Sequence, residues 1–386
     1  MPPLRVPEFT EPWETAKLGA IAEFSKGTGI SKEQRSETGL PCILYGELYT
    51  TYTNEVIEDV VSKTDLDPTD LVKSQKNDVI IPSSGETAED IATARCVTSD
   101  NVLLGGDLNI IRLVEPNDGR FMSYQLNGIR KYDIAKIAQG VSVVHLYGGD
   151  LKMLSVTFPQ SPEQKKIADC ISLLDRRISV QSGLIEDLQK LKAALVERLF
   201  CNKLGWKRYK YRDLLSPISE RNSGNQFSNV LSASQELGMV SRTDLDIDIK
   251  FDRSAVTTYK IVRDGDYVLH LRSFQGGLAF SSMTGICSPA YTILRPVKEL
   301  EYGFFQEYFM SKSFINSLRL VTYGIRDGRS INVDEFLDMP VEIPDSATQC
   351  RIISILSIMN RRLRLAIKQN ENFIKQKQYL LQQMFI

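Results

Sequence analysis

The chain has little of what would mark a secreted, membrane-bound or metal-dependent protein. None of its apolar runs approaches the ~18 residues of a membrane-spanning helix. The opening stretch, MPPLRVPEFTEPWE, has no apolar core segment, so no secretory signal is expected there. Six cysteines (Cys42, Cys96, Cys170, Cys201, Cys287, Cys350) are scattered without a Cys-x-x-Cys, the usage of reduced cytoplasmic thiols rather than of a disulfide or zinc framework. With only two histidines, His145 and His270, a histidine metal site or a histidine-relay hydrolase is disfavoured. Catalytic signatures are missing too. There is no Walker A and no Asn-Pro-Pro-Tyr/Phe, and Gly27-Thr-Gly29-Ile-Ser-Lys32 lacks a third glycine and reads as a turn. Nor is there an excess of positive charge. The net charge is −1, which excludes a uniformly basic nucleic-acid coat.

What is present is ordinary globular composition, 42% hydrophobic and 25% charged, in 386 residues, enough for two or three domains. The charge is unevenly placed. Residues 1–160 carry 15 Lys/Arg against 23 Asp/Glu, residues 161–200 carry 7 against 6, residues 201–345 carry 18 against 18, and residues 346–386 carry 7 against 1. Any nucleic acid would therefore be met by local basic patches.

The chain also repeats itself. Residues 161–200 and 346–386 read as long helices that superpose at an offset of 185. Ser161-Pro-Glu-Gln164 matches Ser346-Ala-Thr-Gln349, each a Ser-x-x-Gln that predicts a capping box, with Pro162 at the first helical position. The first seam runs Ile167, Ile171, Leu174, Ile178, Gln181, Ile185, Leu188, Lys192, Leu195, Leu199. Its counterpart is Ile352, Leu356, Met359, Leu363, Ala366, Asn370, Phe373, Lys377, Leu380, Met384. Eight of ten are apolar in each, at coiled-coil spacing, with a lysine at the same position. One such helix would suggest a dimerisation coiled coil; two of equal length can pair antiparallel within the chain, as a rod of about 60 Å with a domain at each end. The stretches before the helices repeat as well. Asn77-Asp78-Val79 resembles Gly265-Asp266-Tyr267, and Asn109-Ile-Ile-Arg112 resembles Thr292-Ile-Leu-Arg295. Short alternating strands, with a few short helices at 120–138 and 301–319, predict a mixed α/β (α+β) domain in each half.

On this order of elements, and on the junction Leu154-Ser-Val-Thr-Phe-Pro-Gln-Ser-Pro-Glu-Gln-Lys-Lys-Ile167, the chain resembles the specificity (S) subunits of type I restriction–modification systems. Leu188 to Phe200, Ser83-Ser84-Gly85-Glu86-Thr87, Ser273-Phe274-Gln275-Gly276-Gly277 and Ser288-Pro289-Ala290-Tyr291 resemble further stretches of that family. The resemblance spans essentially the whole chain. It implies target-recognition domains at 1–160 and 201–345, separated by a two-helix antiparallel coiled-coil spacer, 161–200 and 346–386, in a pseudo-two-fold repeat. It implies a non-catalytic, cytoplasmic subunit that reads a bipartite asymmetric site on double-stranded DNA, one half per domain and about 10 bp between half-site centres. Two methyltransferase (M) subunits would dock on the spacer, and restriction motor-nuclease (R) subunits would join. Any S-adenosylmethionine, ATP and Mg2+ would be used by those partners, with no cofactor or metal bound to this chain.

Base reading needs Arg, Gln, Asn or Ser on loop tips, and phosphate contact needs Lys, Arg and hydroxyls. In the second half Arg272, Ser273, Gln275, Arg326 and Arg329 fit, against the alternative of solvated turns in which Arg326, Asp327 and Arg329 pair locally. In the first half the candidates are Ser83, Ser84, Thr87, Ser142 and His145, with Glu86 as a possible cytosine reader and Lys26, Lys32 and Arg35 for phosphates; ordinary turns are again the alternative. Spacer and partner roles fall to Ile167, Leu174, Arg176, Arg177, Leu188, Met359, Arg361, Arg362 and Phe373. For the arginines, the plain alternative is a solvated helix face. Two rival readings of the chain are a stand-alone DNA-modifying enzyme and a coiled-coil adaptor without a DNA role.

Overall fold

Within the strand Asp78–Pro82, Val79-Ile-Ile-Pro82 is an unbroken apolar run, the pattern of a strand covered on both faces. The strand forms the middle of a five-stranded sheet in the order Ala22–Lys26, Leu108–Leu113, Asp78–Pro82, Arg95–Val97, Val56–Ile57. Val79, Ile81 and Ile111 enter one core with Phe121 and Tyr124, while Ile80, Leu108 and Ile110 enter a second with Ile43, Leu48 and Leu104. The computed structural model describes residues 2–140, 143–201, 203–234, 237–242, 253–297, 299–324 and 330–386. It divides into two units, Met1–Ser182 with Lys368–Ile386, and Gly183–Ile367. The divisions run through the long helices rather than at their starts.

In the first unit, strand Glu14–Lys17 pairs antiparallel with Ser155–Phe158, which leads directly into the first long helix, Ser161–Cys201. Ile167 and Ile171 of that helix, with Met384 and Phe385 just beyond the second long helix (Ser346–Gln383), are part of the same core as Phe121. The second unit repeats the plan. Lys207–Lys210 pairs with Pro340–Ile343, and a four-stranded sheet runs Leu215–Ile218, Thr292–Pro296, Tyr267–Leu269, Ala279–Phe280. Its core takes Val196 and Phe200 from the first long helix and Ile352 and Leu356 from the second.

The repeat is kept in the polar framework. Asp78 is buried and holds Arg112 through two hydrogen bonds of 2.9 and 2.8 Å, while its Oδ2 accepts the Gln75 amide. Asp266 does the same with Arg295 (2.9 and 2.9 Å) and the Arg263 amide. The residue before each Asp has positive φ, Asn77 at 82° and Gly265 at 92°, which the tight turn requires and which Asn and Gly tolerate.

One local expectation is corrected. The Ser-x-x-Gln motifs do not form capping boxes. The first intrahelical bonds go to the carbonyls of Gln160 and Asp345, one residue before each serine, and the Asp345 carboxylate accepts the Thr348 amide. The glutamines tie neighbouring segments instead. Gln164 donates to the Pro159 carbonyl and accepts the Asp118 amide; Gln349 donates to the Pro344 carbonyl and accepts the Glu301 amide. The helical stretch 120–138 is two helices, Gly119–Asn127 and Lys131–Ile137, because Gly128 ends the first. The stretch 301–319 is likewise interrupted at Ser311, whose side chain caps the helix Lys312–Ser317.

Every seam position of both long helices is buried or half-buried. In the first unit Asn370 donates to the Ser182 hydroxyl, Arg177 lies 6.0 Å from the Phe373 ring centre, and Lys377 pairs with Glu55 and, at 2.6 Å, with Asp175. In the second unit Lys192 pairs with Glu307 at 2.7 Å, and Asn360 donates to the same carboxylate. In the first unit position rises along one helix (Asp175, Arg177, Ser182) as it falls along the other (Lys377, Phe373, Asn370), so the pairing there is antiparallel.

Candidate nucleic-acid interface

In the first unit, strand Ser84–Gly85 pairs with Val144–His145, placing Ser84 opposite His145. His145 exchanges two backbone hydrogen bonds with Gln139, and its exposed ring stacks on exposed Tyr147 with centroids 6.3 Å apart. Val143 is exposed beside them. Asn109 anchors this segment by donating to the Leu146 carbonyl, and its register partner is Lys26, an exposed strand end. The strand order thus gathers Ser84, His145, Tyr147 and the backbone of Lys26. Ser142 lies outside the described residues.

Other candidates are used internally. Ser83 is buried, its amide bonded to the Asp107 carbonyl. Thr87 caps the short helix Ala88–Ile91, accepting the Asp90 amide and donating to its carboxylate. Arg35 lies 3.5 Å from the buried Glu47 carboxylate, so its charge is partly matched within the protein. Lys32 is exposed on a short turn, and Glu86 is exposed.

In the second unit, Leu271 and Arg272 are exposed at the start of the short helix Ser273–Gly276. Arg272 has no ion-pair partner among the described residues. Gln275 is exposed as well. Ser273 is fully buried, with its Oγ accepting the His270 amide, so it builds the turn rather than facing a ligand. Gly277 is not a point of ligand approach. Its φ is +76°, and a Cβ there would meet the Phe309 carbonyl at 1.8 Å, so it is the close packing of chain on chain that requires glycine. His270 is buried against Tyr291, and its Nδ1 accepts the Arg272 amide. Burial holds its imidazole below the ordinary value, against an opposing hydrogen bond with the Gly277 backbone, so it is a neutral support of the Arg272 turn. Arg326 and Arg329 lie outside the described residues. The flanking pair Thr322–Tyr323 and Ser330–Ile331 is an antiparallel hairpin, with exposed Tyr323 donating to Glu335.

On the helices, Ile167, Leu174 and Met359 are buried in the seam, and Leu188 and Phe373 are half-buried. Arg176 pairs with Glu58 at 2.7 Å. Arg361 and Arg362 are exposed and have no ion-pair partner among the described residues. Sequence reasoning missed the exposed apolar residues Leu173, Val180, Ile355, Ile358 and Leu365. The signal was available, since a second heptad-spaced set also repeats at the 185 offset. Among the described residues no group of acidic, histidine or cysteine side chains is arranged to hold a metal, and no helix is long and apolar enough to cross a membrane.

Residues 10–190 match the family model described as the type I restriction modification DNA specificity domain. Solved structures share the fold along the whole chain. The S subunit of a type I restriction–modification system from M. genitalium is 16% identical with a TM-score of 0.64, covering 100% of this chain and 99% of that one. A structure from work on complex assembly and conformational transition of the type I R-M system is 14% identical with a TM-score of 0.57, covering 98% of each chain.

Proposed function

We propose that residues 1–160 and 201–345 are target-recognition domains, each reading one half of a bipartite, asymmetric double-stranded DNA site; the match of residues 10–190 to the type I restriction modification DNA specificity domain supports this reading. The observation that carries this reading is duplication of the whole framework. Both units pair their first strand with the strand that feeds a long helix, both lock a buried Asp to an Arg on the next strand, and both leave exposed polar and aromatic side chains on turns beside that sheet. Two such modules in one chain suit a target of two unlike halves. Base and phosphate contact falls to Lys26, Lys32, Ser84, His145 and Tyr147 in the first domain, and to Arg272, Gln275, Arg326 and Arg329 in the second.

Specificity is the role of this chain; methylation and cleavage belong to partners. Two methyltransferase subunits dock on the long helices, and restriction motor-nuclease subunits complete the assembly. S-adenosylmethionine, ATP and Mg2+ are handled by those subunits in a cytoplasmic complex. The lengths of the helices set the gap between half-sites. Substituting Arg272 and Gln275 together tests the assignment. With the partner subunits supplied, genome-wide methylation mapping is expected to show altered or lost recognition in one half-site, with the other half unchanged. A change in both halves, or in neither, would count against it.

A further inference from the structure

The outward faces of the two long helices repeat as faithfully as their seam. In the first unit Cys170, Leu173, Arg177 and Val180 follow one another at 3-4-3 spacing on the first long helix; at the 185 offset the second unit has Ile355, Ile358, Arg362 and Leu365 on the second. Leu173 is 58% exposed, Val180 73%, Ile358 60% and Leu365 58%. Heptad-spaced apolar side chains on successive turns form a ridge that fits the apolar face of another amphipathic helix. A ridge present twice at equivalent positions calls for an occupant that binds twice, which are the two methyltransferase copies of the proposed function; the present inference rests on that reading.

The two ridges lie in different electrostatic settings. Beside the first, Arg176 is matched by Glu58 and Arg177 lies over the Phe373 ring. There the ridge borders a cleft of about 420 Å3, lined by Tyr52, Glu58, Asp59, Tyr124, Asp175 and Arg176 among others. Beside the second, exposed Arg361, Arg362 and Arg364 have no carboxylate within ion-pair distance among the described residues, and residues 346–386 hold a single acidic residue, Glu371. Three free guanidinium groups around isoleucine and leucine fit a protein surface with an apolar centre and an acidic rim. A phosphate backbone would leave the apolar side chains uncovered.

We infer that the two methyltransferase copies are held unequally. The copy on the first long helix is held by apolar burial and the adjacent cleft. The copy on the second is held in part by acidic groups of the partner against Arg361, Arg362 and Arg364. The same acidic rim gains little at the first ridge, whose arginines are already engaged. Salt screens exposed charge pairs and leaves apolar burial largely intact, so rising salt releases the second-helix copy first.

The test uses the full chain reconstituted with its methyltransferase subunit, followed by native mass spectrometry across a salt series and peptide-mapped maleimide labelling of exposed Cys170. Between about 0.1 and 0.5 M salt, the two-copy complex is expected to pass through a one-copy species, with affinity at the second helix falling about tenfold and at the first less than about twofold. In that species Cys170 stays protected. Ile358→Asp is expected to leave a salt-resistant single copy with Cys170 protected, and Leu173→Asp a salt-sensitive single copy with Cys170 labelled. Arg361→Gln with Arg364→Gln is expected to weaken one copy about tenfold and to remove its salt dependence. Simultaneous loss of both copies, a one-copy species with labelled Cys170, or unchanged stoichiometry in Leu173→Asp and Ile358→Asp would overturn the inference. So would an arginine variant that loses DNA retention at full stoichiometry. If no methyltransferase copy bound the unaltered chain at any salt, the proposed function itself would fail.

Discussion

Around the Asp78–Arg112 pair the first unit packs Val79, Ile81, Ile91, Ile111 and Leu126, a mainly aliphatic core, whereas around Asp266–Arg295 the second unit packs Tyr211, Tyr267, Phe304, Phe305, Phe309, Phe314 and Phe336. Tyr211 stacks on Phe336 with centroids 4.7 Å apart, and Phe309 lies 4.6 Å from Phe314. The same strand pairings and the same Asp–Arg lock persist over both fillings. Polar geometry and backbone turns therefore specify this module, and the volume between them can be filled by quite different apolar side chains. The seam differs in the opposite way. Lys377 in the first unit is shared by two buried carboxylates, Glu55 and Asp175, while Lys192 in the second faces one, Glu307.

This comparison can be broken most sharply in the aromatic core. Phe309→Ala removes a fully buried ring that touches Tyr211, Tyr267, Phe305, Tyr308 and Phe314, and should destabilise the second unit by about 3–5 kcal/mol. Hydrogen exchange resolved by unit should show the loss there first, with amides of the Asp78–Pro82 strand less affected.

Next in size are the locks. Asp78→Ala and Asp266→Ala each strip a half-exposed arginine of its partner and leave a turn amide unpaired, at about 2–4 kcal/mol each. Denaturant unfolding followed by exchange should give nearly equal costs, each confined to its own unit. A twofold or larger inequality would mean that the two locks are not equivalent.

The seam lysines should be unequal. Lys377→Met leaves two buried carboxylates uncompensated and should cost about 3 kcal/mol, against about 1–2 kcal/mol for the more exposed Lys192→Met. Adding Asp175→Asn to Lys377→Met should recover part of the loss in thermal melts.

The smallest expected effect is one of pH. Burial raises the Asp175 carboxyl above its ordinary value, against Lys377, which lowers it. A raised carboxyl binds its proton more tightly in the folded state, so its contribution is fully present below the unfolded value, near pH 4, and is lost as pH rises through the folded value. Asp175→Asn removes this slope. The stability difference between wild type and variant, measured by denaturant melts from pH 4 to 7, should shift steadily in favour of the variant as pH rises.

Much of this was legible in the residues. The seam is legible because one period governs burial along forty residues, and each of its positions is buried or half-buried. The Asp–Arg locks could be placed because Asp78 with Arg112 and Asp266 with Arg295 sit in matched strands, although the pairing itself needed the structure. The capping boxes were misread because Gln164 and Gln349 have a second option, tying together strand end and neighbouring helix, that sequence spacing does not distinguish from a cap. Ser83 and Ser273 read as loop hydroxyls, yet both are buried: the Ser273 hydroxyl accepts the His270 amide, as a serine in a tight turn readily does, and the Ser83 hydroxyl faces the Asp107 carboxylate. The outward ridges went unread because seam periodicity drew attention to one face of each helix.

Separate reading of two half-sites by the two units is the central proposal. Single-molecule sequencing of methylated bases in cells carrying this chain with the methyltransferase subunit proposed for it tests that directly. The expected result is one asymmetric motif in two parts with a fixed unspecified gap, and a Gln275→Ala/Arg272→Ala variant that changes one part alone. A continuous or palindromic motif, or one in which both parts change together, would contradict it.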